Sequence, residues 1–209
     1  LVMPDAEFLR EARALCTRFG IPLIFDEVIS FRVGPRGVQG EVGVQPDLTT
    51  LGKIIGGGFP VGAVAGRAEI LDLSSPASEG RVVHAGTFNA NPMTAIAGRV
   101  TMEALTPEAL GRMNELGGYA RERLRASTSG LPLQVTGAGS LFKVTATSRP
   151  IRNYRDAATA DKAWESACSL ALLNEGFVLT PTMSGCTSLV TSRADVDALV
   201  AAFESVIRG

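Results

Sequence analysis

Two side chains in this sequence could do chemistry of a kind that a surface charge does not. Asp26 ends a short oily run, "IPLIFDE", which leads straight into two adjacent carboxylates, and Lys53 sits in "TTLGKIIGGGFPVG" among apolar residues and glycines. An ionised carboxylate at the rim of a dry core is costly alone. Asp26 therefore requires a partner: a magnesium ion, a cationic ligand, or an arginine of the protein itself. A lysine is ordinarily a solvated charge. If its apolar neighbours bury Lys53, however, the amine loses proton affinity and can attack a carbonyl to form a Schiff base. Gly56, Gly57 and Gly58, which follow it, allow backbone to pass close to a flat ligand. Glu27 reads as structural, pairing with backbone or an arginine near the next loop. The sequence has one histidine, His84, which rules out a His-rich metal centre and is expected to be a hydrogen-bonded structural residue. No metal site is expected.

The elements around these residues follow from periodicity. Phe8, Leu9, Ala12, Leu15, Cys16 and Phe19 recur at helical spacing, with start signals at Pro4 and Asp5 and a stop at Gly20. "IPLIF" is too short for a helix and too continuously apolar for a one-face strand. It predicts a strand covered on both sides, as in a parallel sheet. Helix then buried strand is half of a βαβ unit, and in such sheets function gathers at the carboxyl ends of the strands. "RVGPRGVQGEVGVQPD" predicts a long loop. Short strands are expected at 48–50 and 62–65, irregular chain over "ILDLSSPASEGRVVHAGTFNANP", and helices at 92–105 and 107–126. Beyond these the pattern reads strand ("LQVTGAGSLFKVTA"), helix (160–174), strand ("GFVLTP"), helix (193–207). Two domains are expected, 1–104 and 105–209, the second a small α+β module.

Composition narrows the class. The chain of 209 residues is 45% hydrophobic and 20% charged with net charge −1, so it reads as globular, and nucleic acid is not an expected partner. No apolar run reaches the ~20 residues of a membrane span, and the start lacks a signal-peptide pattern. A soluble, cytoplasmic protein is expected. Three scattered cysteines suit reduced thiols better than a disulfide framework. An apolar strand ending in Asp-Glu also occurs in P-loop ATPases, but "TTLGKII" lacks the first glycine and the hydroxyl residue of G-x-x-x-x-G-K-[ST]. Nucleotide binding stays a minor alternative that needs a phosphate loop outside this sequence.

Asp26 and Lys53 together have one economical reading. Pyridoxal phosphate requires a lysine for its aldehyde and an acid that keeps its pyridine nitrogen protonated, so that the ring can draw electrons from a substrate carbanion. "LIFDEVISFR", "GVQPDLTTLGKIIGGGFPVGAVAG" and "HAGTFNANPMTAIAG" resemble successive motifs of the class III pyridoxal-phosphate aminotransferases. Within that family the nearest likeness is to glutamate-1-semialdehyde 2,1-aminomutase, and it runs from the first helix to the last. The resemblance implies an α/β fold, part of the major-domain sheet of a fold-type-I transferase plus the small carboxyl-terminal domain. It also implies transfer of an amino group between an amino acid or amine and a carbonyl, or the internal aminomutase shift. By the same resemblance Lys53 is the Schiff-base lysine and proton shuttle, Asp26 pairs with the pyridinium, and Val28 packs on the ring. Thr87 would bind the cofactor phosphate of the neighbouring subunit in a homodimer with shared active sites.

Family chains are about twice this long, so the sequence reads as the carboxyl-terminal half, expected to be inactive alone. A non-catalytic dimer partner is the competing reading. In "TPTMSGCTSLV", Gly185 stands where the aminomutase carries a glutamate, which argues against the aminomutase reaction more than against the cofactor chemistry. Arg193, at a helix start, reads as a surface residue before a carboxylate clamp.

Overall fold

In the computed structural model of the chain, which describes residues 1–208, Asp5 opens helix α1 (Ala6–Arg18) by accepting a hydrogen bond from the Glu7 amide at 3.0 Å. Gly20, at φ 64°, closes it: its amide bonds Thr17 O and the Ile21 amide bonds Cys16 O, satisfying two carbonyls that the last turn leaves open. The chain then enters strand β1 (Ile24–Asp26), which pairs in parallel with β2 (Leu48–Gly52). Strand β3 (Gly62–Gly66) pairs with β2 antiparallel, giving the order β1-β2-β3. β1 and β2 make the parallel pair that was expected, but β3 departs from it and the sheet is mixed. The link from Lys53 to Val61 is shorter than the dozen or more residues a parallel crossover needs, so the chain can only turn back.

Two further expectations fail in this unit. β1 is an edge strand, and Ile24 is 54% exposed, so it is not covered on both faces. A continuous apolar run reports hydrophobicity, not the neighbours that cover it. The segment expected as one long loop contains a 3-10 turn (Ser30–Val33) and helix α2 (Gly37–Val42). Its start is stabilised from outside the local sequence, because the buried Glu27 carboxylate accepts from the Val38 amide at 3.0 Å and the Gln39 amide at 2.8 Å. It also accepts from Ser30 Oγ at 2.6 Å. A Cβ on Gly37 would fall 2.6 Å from Glu27 Oε1, so the carboxylate and a glycine define the turn together. A short helix α3 (Ala68–Leu71) and a 3-10 turn follow, then irregular chain to α4 (Pro92–Ala104). Asn91 caps α4 through the Met93 amide at 2.9 Å, with Pro92 in the first turn where no amide is needed.

Contacts divide the chain into two compact units, Asp5–Glu108 and the stretch from Ala109 onward joined by Leu1–Pro4. The division thus falls in the first turn of helix α5 (Pro107–Ser127), a few residues beyond the expected position at 104, and the first four residues go with the second unit. That unit carries a three-stranded antiparallel sheet, β4 (Gln134–Thr136), β5 (Leu141–Thr145) and β6 (Ser184–Cys186), in the order β4-β5-β6. Its helices are α5, the short α6 (Tyr154–Ala157), α7 (Lys162–Asn174) and α8 (Arg193–Arg208). Val196, Leu199, Val200 and Phe203 form the buried stripe of α8 and meet Leu124, Val144, Leu172 and Met183 in one core.

"GFVLTP" is not a strand. Gly176 and Phe177 instead close α7, the Phe177 amide bonding Leu172 O at 2.9 Å, and Val178 is 83% exposed. Pro181 then leads into a tight turn, and the pairing strand begins only at Ser184.

Candidate cofactor site

The carboxyl ends of β1 and β2 bring three of the four sequence-predicted residues together. Asp26 is the last residue of β1 and lies opposite Thr50. Thr50 Oγ1 donates to Asp26 Oδ1 at 2.9 Å, and the Val28 amide donates to the same oxygen at 3.1 Å. These bonds, the amide first and the hydroxyl second, with the Lys53 charge adding to them, hold the Asp26 carboxyl below the usual carboxylate range. Its partners are a backbone amide and a hydroxyl, not an arginine. A carboxylate of this unit that pairs with two arginines is Asp47, at the opposite end of β2, which accepts from Arg13 at 2.6 Å, Arg67 at 3.1 Å and the Leu23 amide at 2.7 Å. Asp26 is exposed and ionised, with Oδ2 left over by those bonds. Thr50 escaped the sequence reading, although the strand offset that pairs it with Asp26 was the available signal.

Lys53 follows the last residue of β2, on the same edge of the sheet. Strand spacing and rise place its Cα about 11 Å from that of Asp26, within the reach of two side chains and one six-membered ring. Lys53 adopts φ 50°, a left-handed conformation that costs a non-glycine residue ~1–2 kcal/mol. Such a residue persists only where its surroundings fix it, and here helix α4 does so. A Cβ on Gly57 would run into the Ala97 carbonyl, a Cβ on Gly98 would run into the Ile55 carbonyl, and Thr94 Oγ1 donates to Pro60 O at 3.3 Å. The glycines thus serve close packing of the Lys53 turn on α4. Lys53 itself is exposed, so the burial that would activate its amine is not met within this chain. Val28 stands beside the turn: a Cβ on Gly52 would lie 3.2 Å from Val28 Cγ1.

Thr87 is exposed in the turn Gly86–Asn89, closed by the Asn89 amide on Gly86 O at 3.0 Å, and makes no hydrogen bond to Asp26 or Lys53 among the described residues. His84 is exposed in the same irregular segment. Arg193 lies in the second unit with its guanidinium 4.7 Å from the centre of the Tyr119 ring, a stacking role rather than a ligand clamp. Among the described residues no group of three or more His, Cys, Asp or Glu could hold a metal, and no helix is long and apolar enough to cross a membrane. None of the three cysteines is in a disulfide among the described residues.

The family model for aminotransferase class-III matches residues 1–207. The chain belongs to the class III aminotransferases. Glutamate-1-semialdehyde 2,1-aminomutase of Methanothermobacter thermautotrophicus is 39% identical over all of this chain and half of its own length. β-Phenylalanine transaminase of Variovorax paradoxus is 40% identical over 97% of this chain and 47% of its own. Among solved structures, an omega-transaminase from Sphaerobacter thermophilus superposes with a TM-score of 0.91 at 42% identity, covering 98% of this chain and 48% of that one. A transaminase solved with PLP bound superposes at 0.86 with 35% identity, covering 97% of this chain and 47% of that one. This class III chain therefore spans about half the length of the curated relatives it matches.

Proposed function

We propose that this chain contributes the lysine and the pyridinium-binding acid of a pyridoxal 5′-phosphate site that moves an amino group between an amino acid or amine and a carbonyl. The observation that carries the reading is the juxtaposition at one sheet edge. An exposed Asp26, in no salt bridge among the described residues, shares the edge with the strained Lys53, and Val28 stands against Gly52 beside that turn. The residues fit the group: the carboxylate is held ionised by donors that leave one oxygen over, and Gly52 leaves Val28 open to a flat ring. The cofactor, when bound, supplies an electron sink for the charge left by proton removal at the substrate carbon. Asp26 would hold the ring nitrogen, and Lys53 Nζ would be the amine that holds the aldehyde and the base that takes and returns the proton at the substrate carbon.

Thr87 we assign to the cofactor phosphate of a second subunit in a homodimer, on the strength of its place in "GTFNANP". Met93, Ile96 and Val100, all more than half exposed on one face of α4, support a surface that another polypeptide covers. The same face favours the second reading, a non-catalytic partner. With three cysteines and no disulfide among the described residues, the compartment we assign is the cytoplasm.

Adding pyridoxal phosphate to the purified chain distinguishes the readings. A visible absorbance band that Lys53→Ala abolishes and Asp26→Asn weakens supports the cofactor site; a folded chain with no band supports the non-catalytic partner. Little turnover is expected from the chain by itself, and robust transamination by it would overturn that expectation.

A further inference from the structure

The second unit holds a buried charge that the cofactor reading does not use. Lys143 on β5 and Glu165 on α7 are both buried. Lys143 Nζ donates to the Thr182 carbonyl at 2.5 Å and lies 3.6 Å from Glu165 Oε2, while Glu165 Oε1 accepts from the Ala146 amide at 3.3 Å. Among the described residues Glu165 Oε2 has no hydrogen-bond partner, so the ammonium is what neutralises it. One lysine therefore ties together β5, α7 and the turn that contains Thr182.

That turn is strained. It closes through the Met183 amide on Thr180 O at 2.8 Å, the Thr180 amide on Ser184 O at 3.0 Å and the Ser184 amide on Thr180 Oγ1 at 3.0 Å. Met183, fully buried, adopts φ 58°. Among the described residues only Lys53, Ala90 and Met183 are non-glycine residues at positive φ. The first two fall in the segments already assigned to the cofactor. The third marks Thr180–Ser184 as an element held in a conformation it does not prefer, which happens only where surrounding contacts enforce it. The Met183 carbonyl accepts from the Val144 amide at 3.1 Å, and its side chain fills the core. The Lys143 ammonium, bonded one residue earlier, is the charged contact among these.

We propose that Lys143 is a charge latch on the Thr180–Ser184 turn: its ammonium pins the Thr182 carbonyl and keeps Met183 left-handed, and removing that charge lets the turn leave β5. Glu165 and Lys162 from α7 and the amino group of Leu1 face the latch. Burial lowers the Lys143 pKa, Glu165 opposes that, and Lys162 adds to it. The charge is thus lost, as pH rises, below the value at which an exposed lysine loses its own.

Amide exchange resolved by residue tests this on the whole chain. In Lys143→Met the Met183 and Ser184 amides should exchange ~10- to 100-fold faster, the range for losing one hydrogen bond to a charged group, with the β4–β5 amides less affected. Lys143→Arg, which keeps the charge, should restore most of the protection. Unchanged Met183 protection in a folded Lys143→Met chain overturns the latch. If that variant does not fold, the Met183 methyl resonance of the wild type decides: movement with a midpoint below the ordinary lysine value supports the latch, and an invariant signal up to unfolding overturns it.

Discussion

The packing of the Lys53 turn on α4 can be tested by one methyl group. Gly57 sits at φ 60°, and a Cβ there would meet the Ala97 carbonyl and lie 2.8 Å from Thr101 Oγ1. Gly57→Ala therefore carries two costs. Holding alanine left-handed costs ~1–2 kcal/mol. Forcing a methyl against helix backbone costs a further ~1–3 kcal/mol, because close-packed interiors yield only by shifting. The sum, roughly 2–5 kcal/mol, is a large part of the about 5–15 kcal/mol that holds an ordinary domain together. Gly20→Ala isolates the first cost, since Gly20 has φ 64° in the same unit and nothing within 4 Å of its would-be Cβ. Urea unfolding followed by ellipticity gives both values, while fluorescence of Trp164, the single tryptophan, follows the second unit separately. Gly57→Ala should be the more destabilised by ~1–3 kcal/mol, and it should also lose cofactor absorbance as Lys53 is displaced. Equal shifts for the two variants would refute the close approach and, with it, the account of why Lys53 is strained.

Three other outcomes follow from the same contacts. Glu27→Gln places an amide NH₂ where an oxygen accepted a backbone amide, and should cost ~1–3 kcal/mol, read from the urea midpoint. Asp47, whose pKa is lowered first by the Leu23 amide and then by Arg13 and Arg67, contributes stability above the ordinary aspartate value and loses it as pH falls through the depressed one. Asp47→Asn should therefore be less stable than wild type at neutral pH, with the gap in melting temperature closing only below about pH 4. Burial pushes the Cys168 thiol up to about 11, so a disulfide reagent at pH 8 should label exposed Cys186 rapidly and Cys168 only on unfolding.

What the sequence disclosed divides along a physical line. Features written in nearby residues were legible: α1 between Asp5 and Gly20, α4 behind Asn91-Pro92, the amphipathic stripe of α8, and the adjacency of strand end and carboxylate at Asp26. What depends on distant partners was not. Helix α2 takes its cap from Glu27, ten residues before its first turn, so its own "GVQGEV" reads as loop. "GFVLTP" has strand composition but is consumed in ending α7, and the pairing falls to "SGC", which has none. Thr50 reaches Asp26 only through strand register, and the apolar neighbours of Lys53 in sequence do not cover its exposed side chain.

β1 ends its sheet with a row of amides and carbonyls that no other strand among the described residues occupies, beside an outward-facing isoleucine. Such an edge is a template for any extended peptide that drifts past. How long the isolated polypeptide stays dispersed should therefore depend on how crowded the solution is, and short charged additions next to Ile24 should lengthen its shelf life more than equal charge placed on α8.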